Sequence, residues 1–268
     1  MPPAFILADS EKPGTGSRHV ISAVRLPLLD EELLVRGEPQ LLARHLLPAE
    51  QRLFARFRHA KRKIEWLGGR LAAKHALGRL TAEGVEAGGW HDWIVLAEND
   101  GRPFAEYTGA AGPKETPALS ISHSHGMAVA MAATARRCGI DIQAITPTVN
   151  RIQERFATGP ELAILAAAGL VPPAGAAAQE AALTLLWAAK EALRKAAAPG
   201  HLPGFLEMEL TATEKTSGRP ECMRVILHVA NRGGSLLGKS PAEQYRVTAW
   251  YYENFAMAFI ALSDDNRF

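Results

Sequence analysis

The chain has 268 residues, 47% of them hydrophobic and 22% charged, which is ample apolar material for one large domain or two smaller ones. A formal net charge of +2 and a pI near 8.6 are too mild for non-specific nucleic-acid binding, which needs a concentrated basic surface. Cys138 and Cys222 stand far apart without a CxxC or a metal-spaced histidine, so they argue against a disulfide framework or zinc site and read as buried apolar residues.

The opening MPPAFILADSEKPGTGSRH has no basic segment followed by an apolar run, and no stretch is long and apolar enough to span a bilayer; no membrane association and a cytoplasmic location are expected. Residues 10–18 (SEKPGTGSR) are polar and rich in turn formers, which predicts a flexible leader over residues 1–18 and a first strand near His19–Leu26. From Pro48 to about Leu80, Leu53, Phe57, Leu67, Leu71 and Leu77 recur at helical spacing among many basic residues, in one helix or two. Strands follow at Trp93–Ala97, Ala118–Ser122 and Ala128–Ala133, the last turning into GIDIQ at residues 139–143. Helices are predicted over Val149–Phe156, from Pro160, and over Glu180–Ala197, with LVPPAGAAAQE as an intervening loop. Glu207–Thr213, Cys222–Ala230, Tyr245–Tyr252 and Phe255–Leu262 complete the reading as strands.

A faint internal repeat runs through this order. LAAKHAL at residues 71–77 echoes WAAKEAL at 187–193, and Met127-Ala128-Val129-Ala130 echoes Met257-Ala258-Phe259-Ile260. Two matches in the same order favour two related α/β lobes, and sites commonly form in crevices between such lobes.

Five segments stand out for their residue types and spacing. In GIDIQ, strand alternation puts Asp141 and Gln143 on one face and Ile140 and Ile142 on the other; a half-buried strand with a wet polar side is the plain alternative. In WAAKEALRKA, Glu191 and Lys195 share a helix face one turn from Trp187, a spacing that also describes a surface ion pair. SISHS (120–124) ends a strand with hydroxyls and His123 before a turn, able to meet an anion or simply to face water. KRKIEWLGGR sets Arg62, Lys63 and Arg70 on or near one helix with only Glu65 opposing, which is either an anion grip or a solvated basic face, and NDGRP (99–103) is a turn.

Taken in chain order, the segments resemble the surfactin-type 4′-phosphopantetheinyl transferases, particularly the branch of enterobactin-synthase transferases. KRKIEWLGGR is similar to that branch's basic-x-Glu-aromatic-Leu-Ala-Gly-Arg segment, GRP to its Gly-Lys/Arg-Pro turn, SISHS to its Ser-His strand, GIDIQ to its GxDxE and WAAKEALRKA to its WxxKEAxxK helix. Arg155-Phe156 followed by Glu161 matches its Arg-Phe…Glu, and the likeness covers roughly residues 45–200. The resemblance implies an α+β fold of two similar α/β lobes related by pseudo-twofold symmetry. The N-terminal lobe would span residues 19–136 and bind coenzyme A phosphates, and the C-terminal lobe would span 137–268 and carry the metal and catalytic residues. It also implies transfer of the 4′-phosphopantetheine arm of coenzyme A to a serine of an apo acyl or peptidyl carrier protein by a monomer, with release of adenosine 3′,5′-bisphosphate. The carrier could serve fatty-acid, polyketide or non-ribosomal peptide synthesis.

On the same footing Asp141 and Glu191 would bind Mg²⁺ with Gln143 filling or orienting a further position, Glu191 would activate the carrier serine, and Lys195 would neutralise phosphate charge. Ser122, His123, Arg62, Arg70 and Arg102 would hold coenzyme A. Gln143 departs from the pattern, standing where the family usually has another acid, and this predicts weaker metal binding. ELAILAAAGLVPP (161–173), through Leu165 and Leu170, is a candidate docking site for the carrier or else core packing. Two rival readings are a coenzyme A or carrier-protein binding module without transferase activity, favoured by Gln143, and a basic structural or nucleic-acid-associated protein, which lacks interleaved aromatics for base stacking.

Overall fold

The computed structural model of the chain describes residues 6–11, 18–81, 89–110, 113, 115–170, 172–215, 224–231 and 243–262, and these part into two units between Cys138 and Gly139. In the first unit, β1 (Ile6–Glu11) pairs antiparallel with β2 (His19–Arg25), so a strand begins inside the segment read as a leader. Two helices that the periodicity did not announce follow, α1 (Leu26–Arg36) and α2 (Glu38–His45), divided by Gly37 at φ +82°. The helical region beyond Pro48 is two pieces, α3 (Pro48–Phe54) and α4 (Ala60–Thr81). A hairpin of β3 (Trp93–Ala97) and β4 (Pro103–Tyr107) is closed by the NDGRP turn, where the Glu98 amide donates to the Arg102 carbonyl at 2.8 Å. Strands β5 (Ala118–Ser124) and β6 (Met127–Ala133) complete a four-stranded antiparallel sheet in the order β1-β2-β6-β5.

α4 lies on that sheet, and from Leu67 to Gly78 nearly every residue is buried, so this stretch is enclosed all round rather than half-exposed, with Lys74 and His75 buried among its apolar residues. Leu67, Leu71, Ala73 and Leu77 pack with Val24, Ala128, Ala130 and Ala132 of the strands. The approach is close enough that a Cβ at Gly68 would fall 2.3 Å from Leu26 Cδ2.

In the second unit, β7 (Arg137–Ala144) heads a five-stranded sheet of order β7-β11-β10-β9-β8. Its other members are β8 (Met208–Lys215), β9 (Arg224–Asn231), β10 (Glu243–Tyr252) and β11 (Phe255–Leu262), with the last three neighbouring pairs antiparallel. Helices α5 (Gly159–Ala167) and α6 (Ala178–Ala196) cover it, burying Leu183, Leu185, Leu186, Ala189 and Leu193. The expected α-helix over Val149–Phe156 is instead a 3₁₀ segment, Pro147–Arg155. Pro147 lacks a donor and Thr148, Val149, Asn150 and Ile152 are poor helix formers, so the tighter i→i+3 bonds win. Cys138 is buried, which pushes its thiol up to about 12 and leaves it inert; Cys222 lies outside the described residues. Among the described residues no helix is long and apolar enough to cross a membrane.

The repeated alanine-rich helices carry one buried device in both units. Lys74 of α4 lies 2.6 Å from Glu50 and Lys190 of α6 lies 2.7 Å from Glu161, all four side chains at most 1% exposed. Each glutamate sits just after a helix-starting proline, Pro48 or Pro160, and reaches back to a backbone amide, that of Leu47 or Thr158, at 2.9 Å. Its other oxygen takes a strand amide, Val95 at 3.0 Å or Leu210 at 2.9 Å. Each lysine also donates to a carbonyl, His45 at 2.9 Å or Phe156 at 2.6 Å. Burial lowers both ammonium groups, and the neighbouring Glu50 and Glu161 oppose that shift. A short helix, a strand and the central helix are thereby tied together through charges that the interior would otherwise reject.

Candidate functional site

GIDIQ forms β7 as its alternation predicts: Ile140 and Ile142 are fully buried on one face, with Asp141 and Gln143 on the other. The polar face is not simply wet, because Asp141 is only 2% exposed. A carboxylate so buried needs partners, and it has them. Lys195 Nζ donates to Asp141 Oδ1 at 2.7 Å and to the Ile140 carbonyl at 3.0 Å, while the Gln143 amide donates to Asp141 Oδ2 at 2.9 Å.

Gly139 is what lets the helix come near. A Cβ there would sit 1.9 Å from the Ala192 carbonyl oxygen, so the backbones of β7 and α6 approach as only glycine permits. The residues following Lys190 on α6, Glu191 and Lys195, then share the helix face toward Asp141. The plain surface ion pair between those two gives way to a different pairing, in which Lys195 holds Asp141 and Arg194 Nη1 lies 3.4 Å from Glu191 Oε1. Burial first, and the Asp141 charge second, raise the Glu191 carboxyl above the usual carboxylate range, against Arg194 and Lys195, which lower it.

Among the described residues no three His, Cys, Asp or Glu side chains gather as a metal cluster, in keeping with glutamine at position 143. The donors still suit a hard cation. The Asp141 charge raises the cost of ionising Glu191, and Gln143, its N–H spent on Asp141, retains its carbonyl oxygen. Asp141, Glu191 and Gln143 supply the side-chain oxygens that this face could offer a divalent cation.

The first unit assembles a second group at the end of β5. Arg62, Trp66 and Arg70 line one face of α4, and Glu65 on the neighbouring face is 4.0 Å from Arg62 and 3.9 Å from the His123 ring. Ser122 is buried and His123 is partly open; the turn beyond them holds His125 at φ +41° and Gly126 at φ +87°. Arg70 stacks its guanidinium 4.4 Å over Trp66, and its Nε is buried without a hydrogen-bond partner. Burial lowers that guanidinium to about 10, with Arg62 adding to the shift against Glu50. A buried cationic N–H without an acceptor is costly as it stands and retains the capacity to donate to an anion. Arg102 lies 3.0 Å from Asp100 within its own turn.

The docking expectation at Leu165 fails because that side chain is 2% exposed and belongs to the core, whereas Leu170 is half-buried. Sequence reasoning passed over Arg194, which occupies an unassigned position of the WxxKEAxxK pattern and shows only as a base three residues after Glu191.

Comparison with known proteins bears on this geometry. Residues 137–260 match the 4′-phosphopantetheinyl transferase superfamily. The holo-[acyl-carrier-protein] synthase of Halalkalibacterium halodurans is 36% identical over 98 residues, covering 36% of this chain and 78% of that protein. That of Exiguobacterium sibiricum is 34% identical over 123 residues, 44% and 91% of the two chains, and that of Enterococcus faecalis 33% over 97 residues, 36% and 80%.

Proposed function

The chain belongs to the 4′-phosphopantetheinyl transferase superfamily, and on that premise we propose that Asp141, Glu191 and Lys195 are the chemical centre through which it works. The protein is an enzyme that transfers 4′-phosphopantetheine from coenzyme A to a serine of an apo acyl carrier protein and releases adenosine 3′,5′-bisphosphate. The observation that carries the residue assignment is the 2.7 Å contact of Lys195 with the buried Asp141, reached from the helix that also bears Glu191.

In this reading the serine oxygen attacks the phosphorus bearing the pantetheine arm, the bond from that phosphorus to the bridging oxygen breaks, and adenosine 3′,5′-bisphosphate leaves with the electron pair. Glu191 takes the serine proton, directly or through water, and a carboxylate raised by burial is the better base. Lys195 anchors Asp141 and meets charge gathering on the leaving phosphate. Mg²⁺, when bound, would offset the pyrophosphate charge. Arg62, Arg70, Ser122 and His123 hold coenzyme A phosphates, a role supported by the Arg70 nitrogen that lacks an acceptor, and Arg102 meets the nucleotide.

We further assign the enzyme to the surfactin-type branch. The relatives named above align with 98, 123 and 97 residues, while this chain carries two units that repeat the same buried Lys–Glu framework. Two related units in one chain support a monomer, and coenzyme A as substrate supports a cytoplasmic location. The lobe boundaries 19–136 and 137–268 stand as part of the same proposal.

The decisive measurement is release of adenosine 3′,5′-bisphosphate, with the matching mass gain on the carrier serine, for native protein, Asp141→Asn and Glu191→Gln. Both variants should be inactive while remaining folded. Native-like turnover in either removes that residue from the centre. Binding of coenzyme A without any transfer, by the native protein, would favour the non-catalytic binding module that Gln143 suggests.

A further inference from the structure

Glu191 is held by a residue that is itself fixed from three directions. Arg194 Nη1 lies 3.4 Å from Glu191 Oε1, its Nε donates to the Pro203 carbonyl at 3.0 Å, and its guanidinium lies 4.4 Å over the Phe205 ring. Phe205 in turn stacks on Trp187 with centroids 4.7 Å apart, and its carbonyl accepts from Lys190 Nζ at 3.1 Å. Trp187, Lys190 and Arg194 recur at helical spacing on α6, so one side of the helix grips the segment around residues 203–205 and the adjoining side presents Glu191 and Lys195. Each acid of the pair therefore has its own cation, Lys195 for Asp141 and Arg194 for Glu191.

We propose that Arg194 is a positioning residue for the transfer reaction, orienting the Glu191 carboxylate through a guanidinium locked between Glu191, the Pro203 carbonyl and the Phe205 ring. The inference rests on the reading of Glu191 as base given above. An arginine suits the task because its planar fork can serve two acceptors while its face lies on an aromatic ring, which a lysine ammonium cannot do. At 3.4 Å the contact steers the carboxylate without enclosing it, and Glu191 stays 22% exposed to whatever it must receive. Phe205 then matters to the reaction because it is the shelf on which the guanidinium rests.

The test uses the full chain with coenzyme A and apo carrier, and compares Arg194→Gln, Arg194→Lys, Phe205→Leu and the double variant Arg194→Gln/Phe205→Leu. Binding of Mn²⁺ alone, followed by electron paramagnetic resonance, is the readout independent of turnover. Arg194→Gln is expected to lower kcat about 10- to 100-fold with KM for coenzyme A changed less than about threefold, as loss of orientation does. Arg194→Lys should recover only part of the loss, and the double variant should be no slower than Arg194→Gln, because both substitutions undo one arrangement. Mn²⁺ affinity should hold or tighten, since a nearby positive charge has gone. A kcat within about twofold of native, additive losses in the double variant, or weakened Mn²⁺ binding would each overturn the inference. If Arg194→Gln does not fold, Phe205→Leu, which keeps every charge, decides alone by the same kcat criterion. Glu191→Gln is run beside them: an inactive Glu191→Gln with a native-like Arg194→Gln sinks only this inference, whereas an active Glu191→Gln sinks the reading beneath it.

Discussion

Lys190 and Glu161 form an ion pair 2.7 Å apart with neither side chain more than 1% exposed, and Lys74 and Glu50 repeat it at 2.6 Å in the other unit. Removing one partner strands the other charge in the interior. Lys190→Met or Glu161→Gln should therefore each cost about 3–5 kcal/mol of stability, while Lys190→Met with Glu161→Leu should recover much of the loss. Urea denaturation of the three variants checks this. Equal destabilisation by the single and double changes would mean that the hydrogen bonds to Leu210 and Phe156, not the pairing, carry the effect.

Gly139→Ala tests the close approach of β7 and α6. With a Cβ 1.9 Å from the Ala192 oxygen, the backbones must separate, at a stability cost of about 1–3 kcal/mol for overpacking. Since Asp141 and Glu191 ride on those two backbones, transfer should fall about 100-fold even where the protein stays folded. Thermal melting and single-turnover transfer measure the two effects separately, and a native-like rate would show that the site tolerates the shift.

Gln143→Glu should make the protein depend on its cation. The present amide donates to Asp141 Oδ2, so a carboxylate there loses a hydrogen bond and adds like-charge repulsion next to a buried acid. Without Mg²⁺ the variant should melt below native protein, and Mg²⁺ should raise its Tm more than it raises the native one. If Mg²⁺ shifts both Tm values equally, residue 143 does not face the metal.

Arg70→Met exchanges function for stability. The buried guanidinium nitrogen without a partner is costly in the free protein, so the variant should be as stable as native or more so. Its KM for coenzyme A should rise at least about tenfold if the guanidinium meets a phosphate. An unchanged KM together with lost stability would make Arg70 a packing residue on Trp66 and nothing more.

The first unit should be acid-sensitive through His75. This imidazole is buried beside Ser22, whose hydroxyl is 2.9 Å away, and burial first and Arg79 second lower it from 6.5 to about 4. Between those values the unfolded chain binds a proton that the folded chain refuses. The stability it contributes is complete above about pH 6.5 and is lost as pH falls toward 4, on the order of 3 kcal/mol over the window. His75→Gln should flatten this acid limb in denaturation at pH 7 and pH 4.5, leaving the share of His45, which burial also lowers to about 4. A limb as steep as native in the variant would exclude His75 as its source.

Much of the candidate site follows from local pattern. Alternation in GIDIQ assigns Asp141 and Gln143 to one strand face, and the spacing in WAAKEALRKA assigns Glu191 and Lys195 to one helix face, because both periodicities are properties of the backbone itself. The echo of LAAKHAL in WAAKEAL likewise marks two lysines that the structure buries in equivalent ion pairs. Helices α1 and α2 escaped notice because Pro27, Gly37 and Pro39 punctuate short apolar runs that also read as loops. Periodicity says nothing of partners. That Lys195 binds Asp141, 54 residues away, rather than Glu191, leaving Glu191 to Arg194 on the same helix, and that Leu165 is core rather than surface depend on which backbones approach each other in the fold. That approach is set by packing around Gly139 and by buried ion pairs whose glutamates, Glu50 and Glu161, look in the sequence like ordinary first-turn acids, since the energy of a charge is decided by the solvent it loses and the partner it finds.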